Sequence, residues 1–199
     1  GQSNLLEVTV SKMSAEPSVN RAERYADYWV FGGIFRPVYL EAYPAEHIGR
    51  VAIDAKADGT FAMEVFPVQL RGNRTISAEI LDKYGKVMAV FTQNSTQADS
   101  LVTLQGKADK VHPWTAETPE LYTVRVSLKN GNKELYACNQ KFGFRTVEVR
   151  QGDGIYLNGV KIKMKGINRH AFWPESGRCL NDSLNLLDVK LIKAMNMNA

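Results

Sequence analysis

Cysteine is scarce in this sequence, and neither a disulfide framework nor a metal site can be built from it. Cys138 and Cys179 are the only two, and they form no CxxC pair and no metal-ligand spacing. We therefore interpret both as free thiols. The sequence also lacks any apolar run near the ~20 residues of a membrane-spanning helix and any run of basic residues. The net charge is +4, and the lysines and arginines are dispersed among acidic residues. We therefore predict no membrane span and no nucleic-acid partner.

The first 43 residues contain two candidate strands and little else that is regular. Residues 5–10 and 34–43 are rich in β-branched and aromatic side chains. Residues 11–24 between them are polar and include Pro17, which is typical of a loop. Two strands joined by so long a connection are not stable alone. Residues 1–43 are therefore predicted to be the last part of a larger β-domain.

Residues 44–149 show the regular alternation of apolar and polar side chains that is typical of antiparallel strands. Turn signals such as Asp58-Gly59 and Asn130-Gly131 separate seven or so short strands, and no helical period interrupts them. This pattern predicts an immunoglobulin-like β-sandwich. Because the sequence has no Cys…Trp…Cys pin, its core must come from apolar alternation alone.

The pattern changes in residues 150–199. A hairpin with an Asn158-Gly159 turn is followed by the polar and aromatic run Gly166-Ile-Asn-Arg-His-Ala-Phe-Trp-Pro-Glu-Ser-Gly-Arg178. A helix is then predicted, with one of Asn181, Asp182 and Ser183 as its cap. Its apolar stripe would consist of Leu184, Leu187, Leu191 and Met195. Strand, loop and helix in this order indicate the first unit of a β/α repeat.

Asn168 and His170 are the candidate ligand-binding residues of this run. They lie one side-chain period apart, so on a strand both would face the same way. An isolated histidine beside Phe172 and Trp173 is also compatible with simple packing. The two aromatic rings have the same two interpretations, as platforms for a sugar ring or as packing against a neighbouring domain.

Three segments together resemble glycoside hydrolase family 2, which includes β-galactosidases, β-glucuronidases and β-mannosidases. The segments are Asp27-Tyr-Trp-Val-Phe-Gly-Gly-Ile-Phe-Arg-Pro-Val38, Trp114-Thr-Ala-Glu-Thr-Pro-Glu-Leu-Tyr122 and Gly166-Ile-Asn-Arg-His170. They look like the end of the family's sugar-binding jelly roll, its central sandwich and the first strand of its catalytic barrel, in the family's order. The Asp-Tyr-Trp sequence favours the β-galactosidases.

The resemblance implies a mainly β chain with three parts. Residues 1–43 would be the remnant of the jelly roll, residues 44–149 the sandwich, and residues 150–199 the start of a truncated (β/α)8 barrel. Asp27, Asn168 and His170 would bind the substrate, a β-galactoside-type carbohydrate. Asp27 would contact sugar hydroxyls through its carboxylate and also take part in a metal site, while His170 would bond a sugar hydroxyl and stabilise the transition state.

The same resemblance predicts that the catalytic residues lie elsewhere. A retaining glycosidase needs two carboxyl groups about 5–5.5 Å apart, and in this family both are glutamates on later barrel strands. Glu175 matches neither of them. We therefore expect these residues to be an inactive fragment of a β-galactosidase-like enzyme, acting as an inter-domain scaffold. The alternative is a stand-alone sandwich module that binds a carbohydrate or a protein.

Cofactor, compartment and assembly follow from the same resemblance. No cofactor is expected in the fragment, whereas the parent enzyme would use Mg²⁺ and Na⁺. The parent's compartment stays open between bacterial periplasm and cytoplasm. The apolar faces of residues 4–10, 34–43 and the helix around Leu187 and Leu191 would lack their native partners. These ends are expected to pack on each other, to form oligomers or to remain poorly ordered.

Overall fold

The computed structural model describes residues 4–25 and 31–199, which form two compact units. One unit is Glu41–Lys163, and the other combines the residues up to Leu40 with Met164–Ala199. Most of the regular structure is antiparallel β-sheet, so the predicted mainly β class is confirmed. Neither of the helices in the described ranges is long and apolar enough to span a bilayer.

The larger unit contains the predicted sandwich. Its seven strands are β1 (His47–Ala55), β2 (Thr60–Val68), β3 (Arg74–Leu81), β4 (Val87–Ser95), β5 (Val102–Lys107), β6 (Tyr122–Asn130) and β7 (Lys133–Phe142). One sheet has the order β1-β2-β5 and the other the order β4-β3-β6-β7. The predicted turns lie between the expected strands, and Gly59 and Gly131 adopt the positive φ angles that such turns require.

The core of the sandwich comes from alternating apolar side chains on its central strands, although Ser77 of β3 and Ser127 of β6 are also buried. Phe61, Met63 and Val65 of β2 face the interior, as do every second residue of β3 and β6. The buried set from the latter two strands is Ile76, Ala78, Ile80, Val124, Val126 and Leu128. Phe61 stacks on Phe91 of the other sheet, with ring centroids 5.5 Å apart. Burial of apolar surface from both sheets therefore takes the place of the missing disulfide pin.

A hydrogen bond and a close ring contact fix the long loop before β6. The backbone N–H of His112 donates to the buried Tyr122 hydroxyl at 2.8 Å. Trp114 packs directly on Gly143, where a Cβ atom would lie 2.8 Å from the Trp114 side chain. Trp114 thus anchors the loop to the residues that follow β7, and its amide also donates to the Phe144 carbonyl at 2.8 Å.

A separate three-stranded sheet follows the sandwich in sequence. It consists of β8 (Val147–Arg150), β9 (Gly154–Leu157) and β10 (Val160–Ile162), in the order β10-β9-β8. Asn158 and Gly159 join β9 to β10, and both have positive φ angles, of 51° and 80°. This is the type I′ geometry that the Asn-Gly sequence predicts.

Helix α1 (Pro17–Arg24) replaces a predicted loop. The interpretation of residues 11–24 as irregular was wrong because it treated Pro17 as a breaker. Proline is instead well tolerated in the first turn of a helix, where its missing N–H has no intrahelical role. The side chain of Glu16 caps this end by accepting a hydrogen bond from the Ser18 amide at 3.1 Å.

The two strands predicted at residues 5–10 and 34–43 are not formed. No strand is assigned in the described residues before His47, and the apolar side chains of both segments are largely exposed, Leu40 almost completely. A β-strand needs a neighbouring strand to satisfy its amide and carbonyl groups. The local sequence favours strands here, but no strand of the described structure pairs with either segment.

Candidate functional site

The polar run after residue 163 begins with a parallel backbone pairing. The Ile167 amide donates to the Ala199 carbonyl at 3.0 Å, and the Ala199 amide donates to the Lys165 carbonyl at 3.3 Å. Ala199 thus bonds to two residues that flank Gly166, a pattern of parallel and not of antiparallel chains. Because α2 (Asp182–Ala194) lies between the two segments in sequence, this part of the chain has the order of a β–α–β unit, although neither paired segment is assigned as a strand.

The pairing stops at Ile167, and no strand is assigned to residues 163–172, so only a short paired segment stands where a strand was predicted. Asn168 and His170 were expected on the strand itself but lie just beyond its paired residues, in a segment with no assigned strand. Both side chains are exposed. They therefore occupy the carboxyl end of this strand, which is the end where β/α barrels place their active sites.

Helix α2 is capped and oriented by side chains of its own sequence and of the strand segment. Asn181 caps it, since its Oδ1 accepts from the Leu184 amide at 2.9 Å. Arg169 reaches the helix with two contacts, from Nε to Asp188 Oδ2 at 2.6 Å and from Nη2 to Asn185 Oδ1 at 3.0 Å. The Arg169 side chain, which lies between Asn168 and His170 in the sequence, is thus bonded to the helix.

The side of α2 that meets Arg169 is polar, which the apolar-stripe prediction missed. Leu187 and Leu191 of that predicted stripe remain about half exposed, as expected for a helix whose apolar side is uncovered. The prediction treated the stripe as the only contact surface of the helix. One feature of the sequence could have indicated the ion pair of Arg169 with Asp188: a cation lies between the two candidate ligand residues.

The loop after His170 is a tight turn closed by backbone bonds. Trp173 and Gly177 exchange hydrogen bonds, with N···O distances of 2.8 and 2.7 Å, and Gly177 has a φ of 58°. The exposed Glu175 lies at the tip of this turn. A residue with a Cβ at position 177 would be strained by the positive φ and would approach the Phe31 ring at 3.3 Å.

Aromatic contacts bring the segment after residue 30 onto this loop. Phe31 stacks on Phe172, with centroids 6.0 Å apart and ring planes inclined by 29°. The guanidinium carbon of Arg178 lies 4.5 Å from the centre of the Phe35 ring, a cation–π distance. A depression of about 270 Å³ opens beside Phe31, Phe35 and Arg178, which is smaller than most ligand pockets.

The predicted site is only partly visible in this arrangement. Asp27 lies outside the described residues, so its role and its predicted metal contact stay predictions. Within residues 4–25 and 31–199, no group of three or more His, Cys, Asp or Glu side chains could hold a metal ion. Phe172 packs on Phe31 and has the packing role that was one of its two interpretations, while Trp173 is still about one-third exposed.

The sandwich has a larger depression but a poor surface for sugar binding. This depression of about 710 Å³ is lined by Lys83, Lys86, Lys110, His112 and Tyr84 among others. Tyr84 is 84% exposed, whereas Phe61 is buried and Phe91 stacks on it within the core. Tyr84 stands apart from Tyr43, which is also exposed but stacks on His47, so these rings do not form the row of aromatic platforms expected of a stand-alone carbohydrate-binding module.

Comparison with protein families agrees with both parts of this architecture. The sandwich residues 47–145 match the family model of glycosyl hydrolases family 2. Residues 147–199 match the model of the TIM barrel domain of the same family. The chain belongs to glycosyl hydrolases family 2. The membership implied by the three sequence segments is therefore confirmed.

Individual relatives in family 2 agree with the assignment. A β-galactosidase of Clostridium acetobutylicum is 36% identical over 180 residues, which is 87% of this chain and 20% of that protein. A crystal structure of a β-glycosidase from Bacteroides vulgatus has a TM-score of 0.72 and 25% identity, covering 85% of this chain and 22% of that one. The Bacteroides uniformis β-glucuronidase has the same TM-score and identity, covering 87% and 23%. The chain thus spans about a fifth of the length of the curated family 2 relatives that it matches.

Proposed function

We propose that these residues belong to a retaining β-galactosidase-like enzyme that hydrolyses terminal β-linked sugars. In this proposal the sandwich is the scaffold between a sugar-binding domain and a catalytic barrel. Asp27, Asn168 and His170 contribute to the substrate site. The catalytic glutamates are proposed to lie on other barrel strands, because Glu175 is on an exposed turn and matches neither of them.

The parallel pairing of Lys165 and Ile167 with Ala199 is the observation that carries this proposal. It gives the β–α–β unit a defined direction, with the carboxyl end of its first strand at Asn168. Active sites of β/α barrels are built from the carboxyl ends of the strands and the loops that follow them. This direction supports the proposal that Asn168 and His170 contribute to the substrate site.

Arg169 supports the orientation of its two neighbours. Its guanidinium bonds to Asn185 and Asp188 of α2, so its side chain is on the helix side. Consecutive side chains of an extended chain point to opposite faces. Asn168 and His170 are therefore proposed to face away from the helices and toward the barrel mouth, where a neutral sugar offers hydroxyl groups as hydrogen-bond partners.

The contact of Phe31 with Phe172 supports the participation of Asp27. Phe31 follows Asp27 by four residues, and Phe172 follows His170 by two. The stacked rings hold the segment that follows Asp27 against the loop that follows His170. A carboxylate contributed from this segment would accept hydrogen bonds from sugar hydroxyls and would suit a hard cation such as Na⁺ or Mg²⁺. One carboxylate by itself does not make a metal site.

Turnover of chromogenic substrates tests the proposal. A longer protein that carries these residues together with a complete barrel should hydrolyse nitrophenyl β-galactoside, and do so faster than nitrophenyl β-glucuronide. The 199-residue chain should hydrolyse neither. Turnover by the short chain, or a longer protein that prefers the glucuronide, would contradict the proposal.

Calorimetry with the short chain tests the alternative of a stand-alone binding module. Galactosides should produce no heat of binding, because Tyr84 is exposed in isolation and Tyr43, which is also exposed, stacks on His47. Submillimolar binding that is lost in Tyr84→Ala would favour the module instead. Since Tyr84 has no role in the proposed barrel site, this outcome would be distinguishable from weak binding near His170.

A further inference from the structure

Trp173 begins a turn whose backbone is fixed at several points. Pro174 follows it, and the residue before a proline is restricted to an extended backbone. The Trp173 amide donates to the Gly177 carbonyl at 2.8 Å. The Trp173 carbonyl in turn accepts from the amides of Gly177 at 2.7 Å and Ser176 at 3.2 Å. Both backbone polar groups of Trp173 are thus hydrogen-bonded, and the turn is closed by its backbone.

Aromatic contacts on both sides hold this turn in place. Before it, Phe172 stacks on Phe31, with ring centroids 6.0 Å apart. After it, the guanidinium carbon of Arg178 lies 4.5 Å from the centre of the Phe35 ring. The Phe31 ring also lies close to Gly177, where a Cβ atom would approach it at 3.3 Å. The turn is therefore preorganised before any ligand is present.

Trp173 remains accessible although the turn around it is fixed. It is 37% exposed, whereas the large rings of the sandwich core, such as Phe61 and Phe144, are completely buried. A rigid aromatic side chain on a preorganised turn offers a large contact area, and little conformational entropy is lost when a ligand stacks on it. Because single exposed apolar side chains are common, the place of Trp173 in the fold determines what it can bind.

That place is the loop after the segment that pairs with Ala199. Trp173 lies three residues beyond His170, and in β/α barrels the loops at this end surround the active site. In the proposed function Asn168 and His170 bind the terminal sugar, so that sugar lies innermost. The rest of the substrate then extends outward past the loop. A ring in this loop therefore meets the part of the substrate that is released.

We propose that Trp173 is a stacking platform for the leaving group of the substrate, and that this leaving group is a second hexopyranose ring. One face of such a ring carries C–H groups that the neighbouring oxygen atoms make weakly positive. The face of an indole is electron-rich, so the two faces attract each other while the sugar hydroxyls stay hydrated at the edge. This inference rests on the proposed function and adds that the substrate is a β-galactoside of another sugar rather than of a small alcohol.

Calorimetry on a longer protein that carries the complete barrel tests the platform with two probes that resist hydrolysis. Methyl thio-β-galactoside fills the terminal-sugar site alone, and a sulfur-linked galactosyl-glucose disaccharide also reaches the platform. Trp173→Leu keeps an apolar side chain but has no ring face, so it should weaken disaccharide binding roughly tenfold and leave the methyl thiogalactoside unchanged. Trp173→Phe should retain most of the disaccharide affinity. Tyr84→Leu is the matched control at an exposed ring of the sandwich and should change neither Kd.

Two outcomes would overturn the inference alone. One is an unchanged disaccharide Kd in Trp173→Leu. The other is an equal loss in the Leu and Phe variants with a lower melting temperature in both, which would assign Trp173 to packing against another domain. In either case the longer protein would still hydrolyse methyl β-galactoside. A longer protein that binds neither probe and hydrolyses no galactoside would instead overturn the proposed function, and this inference with it.

Discussion

Arg169 and Asp188 join the first strand segment of the β–α–β unit to its helix. The Nε atom of Arg169 lies 2.6 Å from Asp188 Oδ2, and the same guanidinium also reaches Asn185. The ion pair fixes α2 against the segment that carries the candidate substrate residues.

A double-mutant cycle should detect coupling between these two residues. Arg169→Ala and Asp188→Ala should each destabilise the packing of α2, and together they should cost less than the sum. Both side chains are about two-thirds buried, so we expect a coupling near the upper end of the ~0.2–1 kcal/mol measured for accessible ion pairs. Amide exchange of α2 is the measurement. The more exposed pair Lys83–Glu120 is the control and should couple less, and strictly additive effects at Arg169 and Asp188 would contradict this account.

Two turn glycines should respond differently to alanine. Gly59 and Gly85 both have φ angles above 80°, so alanine at either should cost about 1–2 kcal/mol for the left-handed backbone. At Gly59 a Cβ atom would also lie 2.1 Å from the Ala108 carbonyl oxygen, whereas nothing lies within 4 Å at Gly85. Gly59→Ala should therefore lower the free energy of unfolding in urea clearly more than Gly85→Ala. Equal losses would mean that the Ala108 contact relaxes without cost.

Protonation of Glu46, which weakens its ion pair with Arg74, should make the sandwich less stable in acid. Arg74 bonds to both carboxylate oxygens of Glu46, at 2.8 and 2.9 Å. This bonding, with the Arg71 amide as a second donor, holds the pKa of Glu46 below its ordinary value of 4.5. A carboxyl whose pKa is lowered by folding stabilises the protein above its unfolded pKa, and that stabilisation is lost as the pH falls through the folded value.

Unfolding measured from neutral pH down to acid checks this sign. The free energy of unfolding should decrease as the pH falls below about 4.5, and Glu46→Gln should make the decrease shallower. Other carboxyls whose pKa is lowered by hydrogen bonds will retain part of the slope; they are Glu16, Asp58, Asp99 and Asp153. At the acid end, where Glu46 is protonated in both states, the parent and the variant should converge. A constant difference at every pH would assign Glu46 a role that does not depend on its charge.

His170 should affect catalysis in the longer protein and not its folding. His170→Ala should reduce kcat/KM for nitrophenyl β-galactoside by about 10²–10³-fold, as removal of a transition-state donor does. The matched control is His112→Ala, since His112 is exposed on the sandwich and only its backbone N–H bonds to Tyr122. Circular dichroism should be unchanged in both. Full activity of the His170 variant would remove this residue from the proposed site.

The sandwich could be predicted because residues close together in the sequence specify its strands and turns. Alternation from Phe61 to Val65 and turn signals such as Asp58-Gly59 specify strand, face and hairpin within a few residues. The same reasoning missed α1, where Pro17 starts a helix instead of ending one. It also predicted strands at residues 5–10 and 34–43. The local sequence favours strands there, but no strand of the described structure pairs with either segment.

The sequence by itself determined the family, the strand pattern and the candidate residues Asn168 and His170. These depend on residue order and on short-range periodicity, which are present before any folding. Only the tertiary structure decided which atoms meet over long distances in the chain: Lys165 and Ile167 with Ala199, Arg169 with Asp188 and Phe31 with Phe172. Such pairings depend on packing between distant segments, and no local rule specifies them.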